Sequence, residues 1–484
     1  MARVLPLVAM ALGVYANSLS NGFIGDDKDQ LLRNPIVSGH QFAAAFGSGV
    51  WAFRGAQSNY YRPLQFVVYA LLHSLFGFQA FGFHLAMALL HAANTVLVYF
   101  LAARVAARPR VAWAAAAVFA IHPIHTEAVD WIASLPDLMM TTIVVFAVWR
   151  FARGGGAPRG ARIAGHCVLY AAALLTKETG IMLLPLYLGF ERICLGRPVR
   201  ELRNNLALYG AMLATLAGYI AARWAALGGL APGQQTFHHL SPPEFLFSAV
   251  VTAAQYARKL ILPLHLNYFH IFQATRSVTP AFLISLAALI AVGAVAFRQA
   301  TPSAVRYGLF WMALTLAPAM NLTGVGQNVM AERYLYLPSV GLAWIAGLGW
   351  EWWAARQRRP AWTAGIAILC AGAWQSMARN ADWRDDFTLL RKTVAQSPGA
   401  GILHNNLAGV YVERNDLEHA LEEERLAVKL EPRSAPFHKN LGLLLMVRDP
   451  PAAIPEFEEA LRLQPAAPDL RSLLEEARAA AGRR

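Results

Sequence analysis

An all-α chain in two parts is predicted by this sequence: a polytopic membrane helix bundle over residues 1–378, then a small soluble domain of helical repeats over residues 379–484. Three observations carry the prediction. Apolar residues make up 56% of the chain and charged residues 15%, against about 25% charge in ordinary soluble domains. The apolar residues recur in runs on the scale of a bilayer, separated by short arginine-rich gaps. After Arg379 those runs stop and a repeat with a period of about 34 residues begins.

The charge has a topological explanation. A net charge of +13 is compatible with nucleic-acid binding, but much of the basic charge lies in short gaps between apolar runs, where orientation in a membrane asks for it. No nucleic-acid partner is expected. The three cysteines, Cys167, Cys194 and Cys370, lie in or beside apolar segments and have neither metal-ligand spacing nor the pattern of a disulfide framework. The run from Val4 to Leu19 has no clear small-x-small cleavage site before the carboxylates that follow it, so it reads as an uncleaved first helix.

In chain order, the first helix ends near Ser20. A long polar-to-amphipathic loop is expected from there to about Ala80, carrying Asp26, Asp27 and Asp29 near its start and Tyr61-Arg62-Pro63 further on. Spans follow near Phe81–Ala103, Val111–Ile121 and Leu138–Val148, then two shorter runs on either side of Lys177-Glu178, then Leu206–Leu227. Residues 228–280 read as an outside loop with an interfacial or re-entrant helix, because Pro232, Pro242 and Pro243 interrupt them and Arg258-Lys259 give one segment a polar face. Four more runs lie near Ala281–Phe297, Tyr307–Leu322, Tyr334–Gly349 and Ala361–Met377. With Arg3 inside, the gaps after Ala103, Val148, Arg192, Phe297 and Trp353 all fall inside, and all are rich in arginine. The sum is about 11 spans with the C-terminus outside. In the repeats, Asn406-Leu407-Ala408, Tyr411, Ala420, Ala427 and Pro432 recur as Asn440-Leu441-Gly442, Ala453, Phe457, Ala460 and Pro465. That is tetratricopeptide spacing, except that Glu424 stands where an aromatic residue is usual.

The same topology gathers polar residues on the outside: Asp26, Asp27 and Asp29; Tyr61 and Arg62; His122, His125, Glu127 and Asp130; Asp137; Lys177 and Glu178; His238, His239 and His270; Gln327, Glu332 and Arg333. Ionisable groups at a membrane edge are costly unless solvated or paired, and often do chemistry. Each cluster has a plainer reading. Asp26 and Asp27 also fit a solvated loop. His122, His125 and Glu127 offer two imidazoles and a carboxylate to a divalent metal, but the spacing is common and Pro123 interrupts the turn, so a metal is not favoured. His84 and His91 read as interhelical packing residues. Glu332-Arg333 reads equally as an ion pair closing a helix end.

Taken in order, FIGDDKDQLLRNPIV (23–37), YYRPL (60–64), FHLAMALLHAANTVLVY (83–99), FAIHPIHTEAVDWIASLPDL (119–138), LLTKETG (174–180) and AERYLYLPS (331–339), followed by the repeats, resemble the transmembrane and tetratricopeptide repeat-containing family of protein O-mannosyltransferases, within the GT-C glycosyltransferase fold. The fourth stretch departs from the family's Gly-Arg-x-Asp pattern, reading Ser134-Leu135-Pro136-Asp137, and the repeat array is short. The resemblance implies a lipid-linked sugar donor, a polyprenyl phosphate carrying mannose or another hexose, and transfer to a hydroxyl, with protein Ser or Thr as the acceptor. It implies that an acid of the first outside loop is the base, Asp26 before Asp27. A nearby carboxylate accepts the proton of a hydroxyl that is otherwise a poor nucleophile, and a single displacement inverts the sugar. Arg333, then Arg62 and Lys177, are the cations for the departing phosphate. His122, His125, Glu127, Asp137, Glu178 and Glu332 complete the expected substrate-binding set.

Two alternatives stand beside this one. A non-catalytic membrane scaffold presenting its repeats to a protein partner would leave the ordered polar clusters unexplained. A transporter would call for charges at mid-bilayer and symmetric halves, and neither pattern is evident. The repeats are expected to recruit the acceptor polypeptide or another partner through a concave groove. Short loops and the lack of a retention signal point to a bacterial inner membrane, with the site and repeats on the periplasmic side.

Overall fold

A computed structural model describes residues 3–56, 58–154, 159–229, 239–320, 322 and 329–482. Among these residues the chain is helical and contains no strand. It divides into two compact units, Met1–Leu266 with Phe272–Arg384, and Asn267–Ile271 with Asp385–Arg484.

The first unit is a membrane helix bundle. Four of its helical stretches are long and apolar enough to cross a bilayer: Ala80–Ala106, Ile132–Arg153, Val199–Leu227 and Pro280–Phe297. They differ in how they are packed. Two thirds of the apolar window in Ile132–Arg153 is buried (67%), against 6% in Pro280–Phe297. Apolar side chains facing lipid carry no hydrophobic penalty, so a helix on the outer surface of a bundle keeps the same composition as one at its centre. Shorter apolar helices, Leu5–Val14, Pro63–Phe76 and Pro109–Ile121, belong to the same unit. Close packing between Pro109–Ile121 and Pro338–Ala354 depends on Gly347, where a Cβ would lie 2.6 Å from the Val111 carbonyl oxygen.

One stretch differs from the sequence reading, and in another, residues 228–280, the helix expected there is present. The long loop expected up to Ala80 contains the helix Pro63–Phe76, with Phe66, Tyr69 and Ala70 buried. Its start and stop signals are plain in retrospect: proline at the first helical position and Gly77 just past the end. Residues 228–280 contain the 20-residue helix Pro242–Ile261, opened by a capping box between Ser241 and Glu244 and amphipathic enough to bury Ser248, Thr252, Tyr256 and Lys259 on one face.

Arg358–Asn380, the helix that crosses residue 378, ends with Arg379 and Asn380 buried in the first unit, so the chain leaves that unit only after Arg384. The second unit consists of the helices Asp386–Gln396, Gly401–Glu413, Leu417–Leu430, Ala435–Arg448, Pro450–Leu463 and Pro468–Ala481 with residues 267–271 packed among them. Ala420, Ala427, Ala453, Phe457 and Ala460 are each fully buried. Small residues on one helix therefore meet large ones on the next, and Gly442 gives Phe457 its place. Asn267 Nδ2 donates to Ser397 Oγ at 2.9 Å, and that hydroxyl donates to the Phe269 carbonyl at 3.0 Å.

Candidate active site

The loop after the first helix is tied down before its acids begin. Asn21 donates to the Asn380 carbonyl (3.0 Å), Asn380 donates to the Val14 carbonyl (2.8 Å), and the Gly22 amide donates to the Arg384 carbonyl (2.9 Å). Gly25, at φ +49°, turns the chain in the left-handed region that glycine adopts without strain. The three acids that follow have different surroundings. Asp27 is fully buried. One of its oxygens accepts the Ala133 amide at 2.7 Å and the other the Ile24 amide at 3.2 Å. Asp29 pairs with Arg33 at 2.9 Å and with Arg54. Asp26 is half-buried, and among the described residues no hydrogen bond holds its carboxylate. Burial raises its pKa, and the Arg333 guanidinium opposes that rise.

Arg333 is fixed from several sides. It lies in the turn Glu332–Leu335, just before Pro338 opens the next helix. Its Nη1 donates to Glu127 Oε1. Glu127 Oε2 accepts the backbone amides of Glu332 (2.7 Å) and Arg333 (3.2 Å). The guanidinium carbon is 4.8 Å from the centroid of the Trp131 ring and 4.9 Å from that of Tyr334. Glu127 is fully buried. Burial raises its pKa and Glu332 adds to this, while Arg333 lowers it. Glu332 and Arg333 are therefore not paired with each other, contrary to the ion-pair reading. Glu332 is held by Arg379 at 2.7 Å and Lys259 at 3.4 Å.

Two further ion pairs stand close by. Arg62, just before Pro63, makes a two-pronged bond to Glu178, Nε to Oε2 at 3.1 Å and Nη2 to Oε1 at 2.5 Å. Burial would raise Glu178, but the guanidinium brings it down to about 2. Lys177 Nζ lies 2.5 Å from Asp137 Oδ1, with both side chains buried. Asp137 sits in the first turn of Leu135–Arg153, where the helix dipole favours an anion. Burial lowers Lys177, and Asp137 counters it. Tyr334 gathers these groups: Lys177 Nζ is 5.3 Å from its ring centroid, and its hydroxyl feels Arg333, Asp137 and Arg62. Arg62, Lys177 and Arg333 thus gather about Tyr334, and Arg333 also acts on Asp26.

The histidines are committed within the protein. His122 Nδ1 accepts the Ile124 amide (3.2 Å), so its Nε2 donates to the Leu260 carbonyl (3.0 Å). His125 is fully buried, with Nε2 2.8 Å from Ser339 Oγ and its ring against Phe119 and Tyr336. His122, His125 and Glu127 do not converge on a point, and no group of three or more His, Cys, Asp or Glu among the described residues is placed to hold a metal. His91 bonds Tyr336 (2.8 Å) and the Ala120 carbonyl (3.1 Å), and His84 the Gly22 carbonyl (3.3 Å), in keeping with packing roles. Asp130 is buried, and among the described residues neither oxygen has a hydrogen-bond partner. Ser18 lies close, but its hydroxyl donates to the Tyr15 carbonyl. Burial pushes Asp130 well above the usual carboxylate range. His239 is exposed and His270 belongs to the second unit. His238 and Gln327 lie outside the described residues.

Sequence reasoning passed over Trp131, Tyr334, Lys259 and Arg379. Trp131 and Tyr334 sit inside stretches already singled out, and an aromatic beside a site cation was the available signal. Nothing in the local sequence links Arg379 or Lys259 to Glu332. A groove of 520 Å³ is lined by Trp113, Ile121, Leu342, Trp350 and Leu369 among others, with His122 and Pro123 also in its wall.

Comparison with known proteins finds relatives along most of the chain. The sequence pattern of the family described as dolichyl-phosphate-mannose-protein mannosyltransferase matches residues 62–224. The chain is 24% identical to mouse protein O-mannosyl-transferase TMTC3, over 90% of its own length and 52% of the relative's. It is 25% identical to human protein O-mannosyl-transferase TMTC1, over 89% of its length and 55% of the relative's. For protein O-mannosyl-transferase F38B6.6 of Caenorhabditis elegans the identity is 23%, over 89% and 63%. The chain therefore spans between half and two thirds of the length of these relatives. Among solved structures, ArnT from Cupriavidus metallidurans bound to undecaprenyl phosphate aligns at TM-score 0.46 and 16% identity, over 94% of this chain and 79% of that one.

Proposed function

We propose that this multi-pass membrane chain, TMTC-like along about 90% of its length, is a GT-C-type glycosyltransferase that moves mannose or another hexose from a polyprenyl phosphate to a protein hydroxyl. The observation that carries the reading is the asymmetry of the two adjacent carboxylates. Asp27 spends both oxygens on backbone amides, while Asp26 is half-buried, free of hydrogen bonds among the described residues, and within the field of Arg333.

In this reading Asp26 accepts the proton of the acceptor Ser or Thr as its oxygen attacks the anomeric carbon. The bond from that carbon to the phosphate oxygen breaks, its electron pair stays on the phosphate, and the sugar inverts. A phosphate leaves without protonation, so cations rather than a general acid complete the step. Arg333 suits that task best. It gives one side-chain bond to Glu127 and keeps its other N–H donors, whereas Arg62 is held by two bonds to Glu178. Lys177 adds a second charge beside Tyr334. Glu127, Glu178 and Asp137 hold these cations in place, and His122 and His125 brace the turn that carries Glu127. The apolar groove that includes His122 in its wall is the route for the isoprenoid tail. Residues 379–484 act as tetratricopeptide repeats that bring the acceptor polypeptide. The site and repeats face the periplasm of a bacterial inner membrane.

The test is mass spectrometry of glycopeptides from cells with and without the protein, alongside transfer by the purified chain from polyprenyl-phosphate mannose to the peptides so identified. Hexose on Ser or Thr that depends on the protein in both settings is expected. An unchanged glycopeptide profile together with no transfer in vitro overturns the reading.

A further inference from the structure

At the other end of the same helices lies a second cavity, of 760 Å³. Its lining carries Arg104, Arg150, Arg153, Arg162 and Arg197, with Glu191 as the one carboxylate among the described residues. From Asp137 to Arg150 the helix Leu135–Arg153 climbs 13 residues, roughly 20 Å at about 1.5 Å each. No single headgroup could reach both places.

The arginines are held in different ways but converge. Arg104 Nε donates to the Ala152 carbonyl at 2.9 Å. Arg150 lies across Gly165, where a Cβ would come 3.2 Å from a guanidinium nitrogen. Arg153 stacks 4.9 Å above the Trp149 ring. Arg162 reaches Asn205 at 3.4 Å, and its buried Nε has no partner among the described residues. The lone carboxylate is already occupied: Glu191 binds Arg197, Asn205 (2.7 Å) and Tyr209. Beside the Arg197–Glu191 pair, four further guanidinium groups thus line the cavity with no second carboxylate among its described lining residues. Orientation in the membrane explains arginines in these loops but does not require them to meet round a hollow; Arg358 and Arg359, at another loop of the same kind, are simply exposed.

We propose that this cavity binds a phosphate-bearing anion, supplied by an anionic lipid headgroup or by free phosphate, at a site separate from the one around Asp26. Guanidinium groups match phosphate oxygens in geometry and charge, and basic pockets between helix ends at a membrane surface take anionic headgroups. A ligand there would tie together the ends of Ala80–Ala106, Leu135–Arg153 and Arg159–Thr176.

Native mass spectrometry of the delipidated full chain in detergent tests this, with phosphatidylglycerol and phosphatidylcholine of identical acyl chains. At least a fivefold preference for phosphatidylglycerol is expected. It should disappear in the double variant Arg150→Gln/Arg162→Gln and survive in Arg358→Gln/Arg359→Gln. Should the first variant not purify, Arg153→Gln serves, with at least a twofold loss expected. A parallel thermal-shift arm with inorganic phosphate separates the sources. Stabilisation of the parent chain but not of the Arg150 and Arg162 variant shows that free phosphate suffices, and stabilisation by lipid alone assigns the site to a headgroup. Neither lipid preference nor phosphate stabilisation in the parent chain, no loss in the folded variants, or equal loss in the Arg358 and Arg359 control overturns the proposal.

Discussion

Replacing Asp27 and Asp26 separately by asparagine should separate a structural acid from a chemical one. Asp27 is fully buried and accepts two backbone amides, Ala133 at 2.7 Å and Ile24 at 3.2 Å. Hydrogen bonds to a charged group are each worth about 1.5–3 kcal/mol, and a buried donor left unpaired costs about 1–3 kcal/mol. Asparagine keeps one acceptor oxygen but turns an amide nitrogen towards the other N–H, so one bond is lost and one donor orphaned. The expected loss is about 2–3 kcal/mol, or roughly 2–5 °C in apparent melting temperature for a unit of this size. Asp26 holds no such bond among the described residues, and burial already disfavours its charge. Asp26→Asn should therefore melt within about 1 °C of the parent chain, or slightly higher. The assay is thermal unfolding of the purified full chain in one detergent, followed by intrinsic tryptophan fluorescence. Equal destabilisation by the two variants, or none by Asp27→Asn, would refute the division of labour between the acids.

Other expectations follow from the same geometry. Arg333→Gln should lower kcat by about 100- to 1000-fold, the usual cost of removing a charge-stabilising donor; Arg333→Lys should recover part of it, and Arg62→Gln should cost less. The acid limb of kcat/KM should lie above the ordinary aspartate range, because burial raises Asp26 and only its ionised form accepts a proton. Arg333 opposes that rise, so Arg333→Gln should move the limb to still higher pH, and a limb moving down would contradict the placement. In the second unit, burial pushes Glu424 from 4.5 up to about 8. A carboxyl raised in the folded state contributes full stability below its unfolded pKa, and this is lost as pH climbs through the window between about 4.5 and 8. At neutral pH Glu424→Gln should stabilise the unit by on the order of 2 kcal/mol after allowing for solvent screening. Slower amide hydrogen exchange across Leu417–Leu430 in the full chain would report it.

The elements most legible in the sequence were those with one strong local signal. Leu206–Leu227 and Pro280–Phe297 are long, apolar and bounded by glycine or proline, and the structure has them as read. Pro63–Phe76 escaped notice because Gln65 and His73 dilute its hydropathy, although Pro63 and Gly77 marked its ends. For the site, the residue types were visible but the partnerships were not. Arg333 bonds Glu127 across 206 positions of sequence, and Arg62 bonds Glu178 across 116. No periodicity or propensity encodes such a pairing; only the packing of helix ends does. The adjacent acids Asp26 and Asp27 are chemically identical on paper. What separates them is the Ala133 amide, brought from more than 100 residues away.

The most direct measurement is sugar transfer by purified Asp26→Asn, with donor binding measured on the same preparation. The variant is predicted to bind the polyprenyl-phosphate sugar within about threefold of the parent chain and to transfer it at least 100-fold more slowly, the low end of what a positioned general base supplies. Transfer at the parent rate by a folded, donor-binding Asp26→Asn chain would contradict the account at its centre.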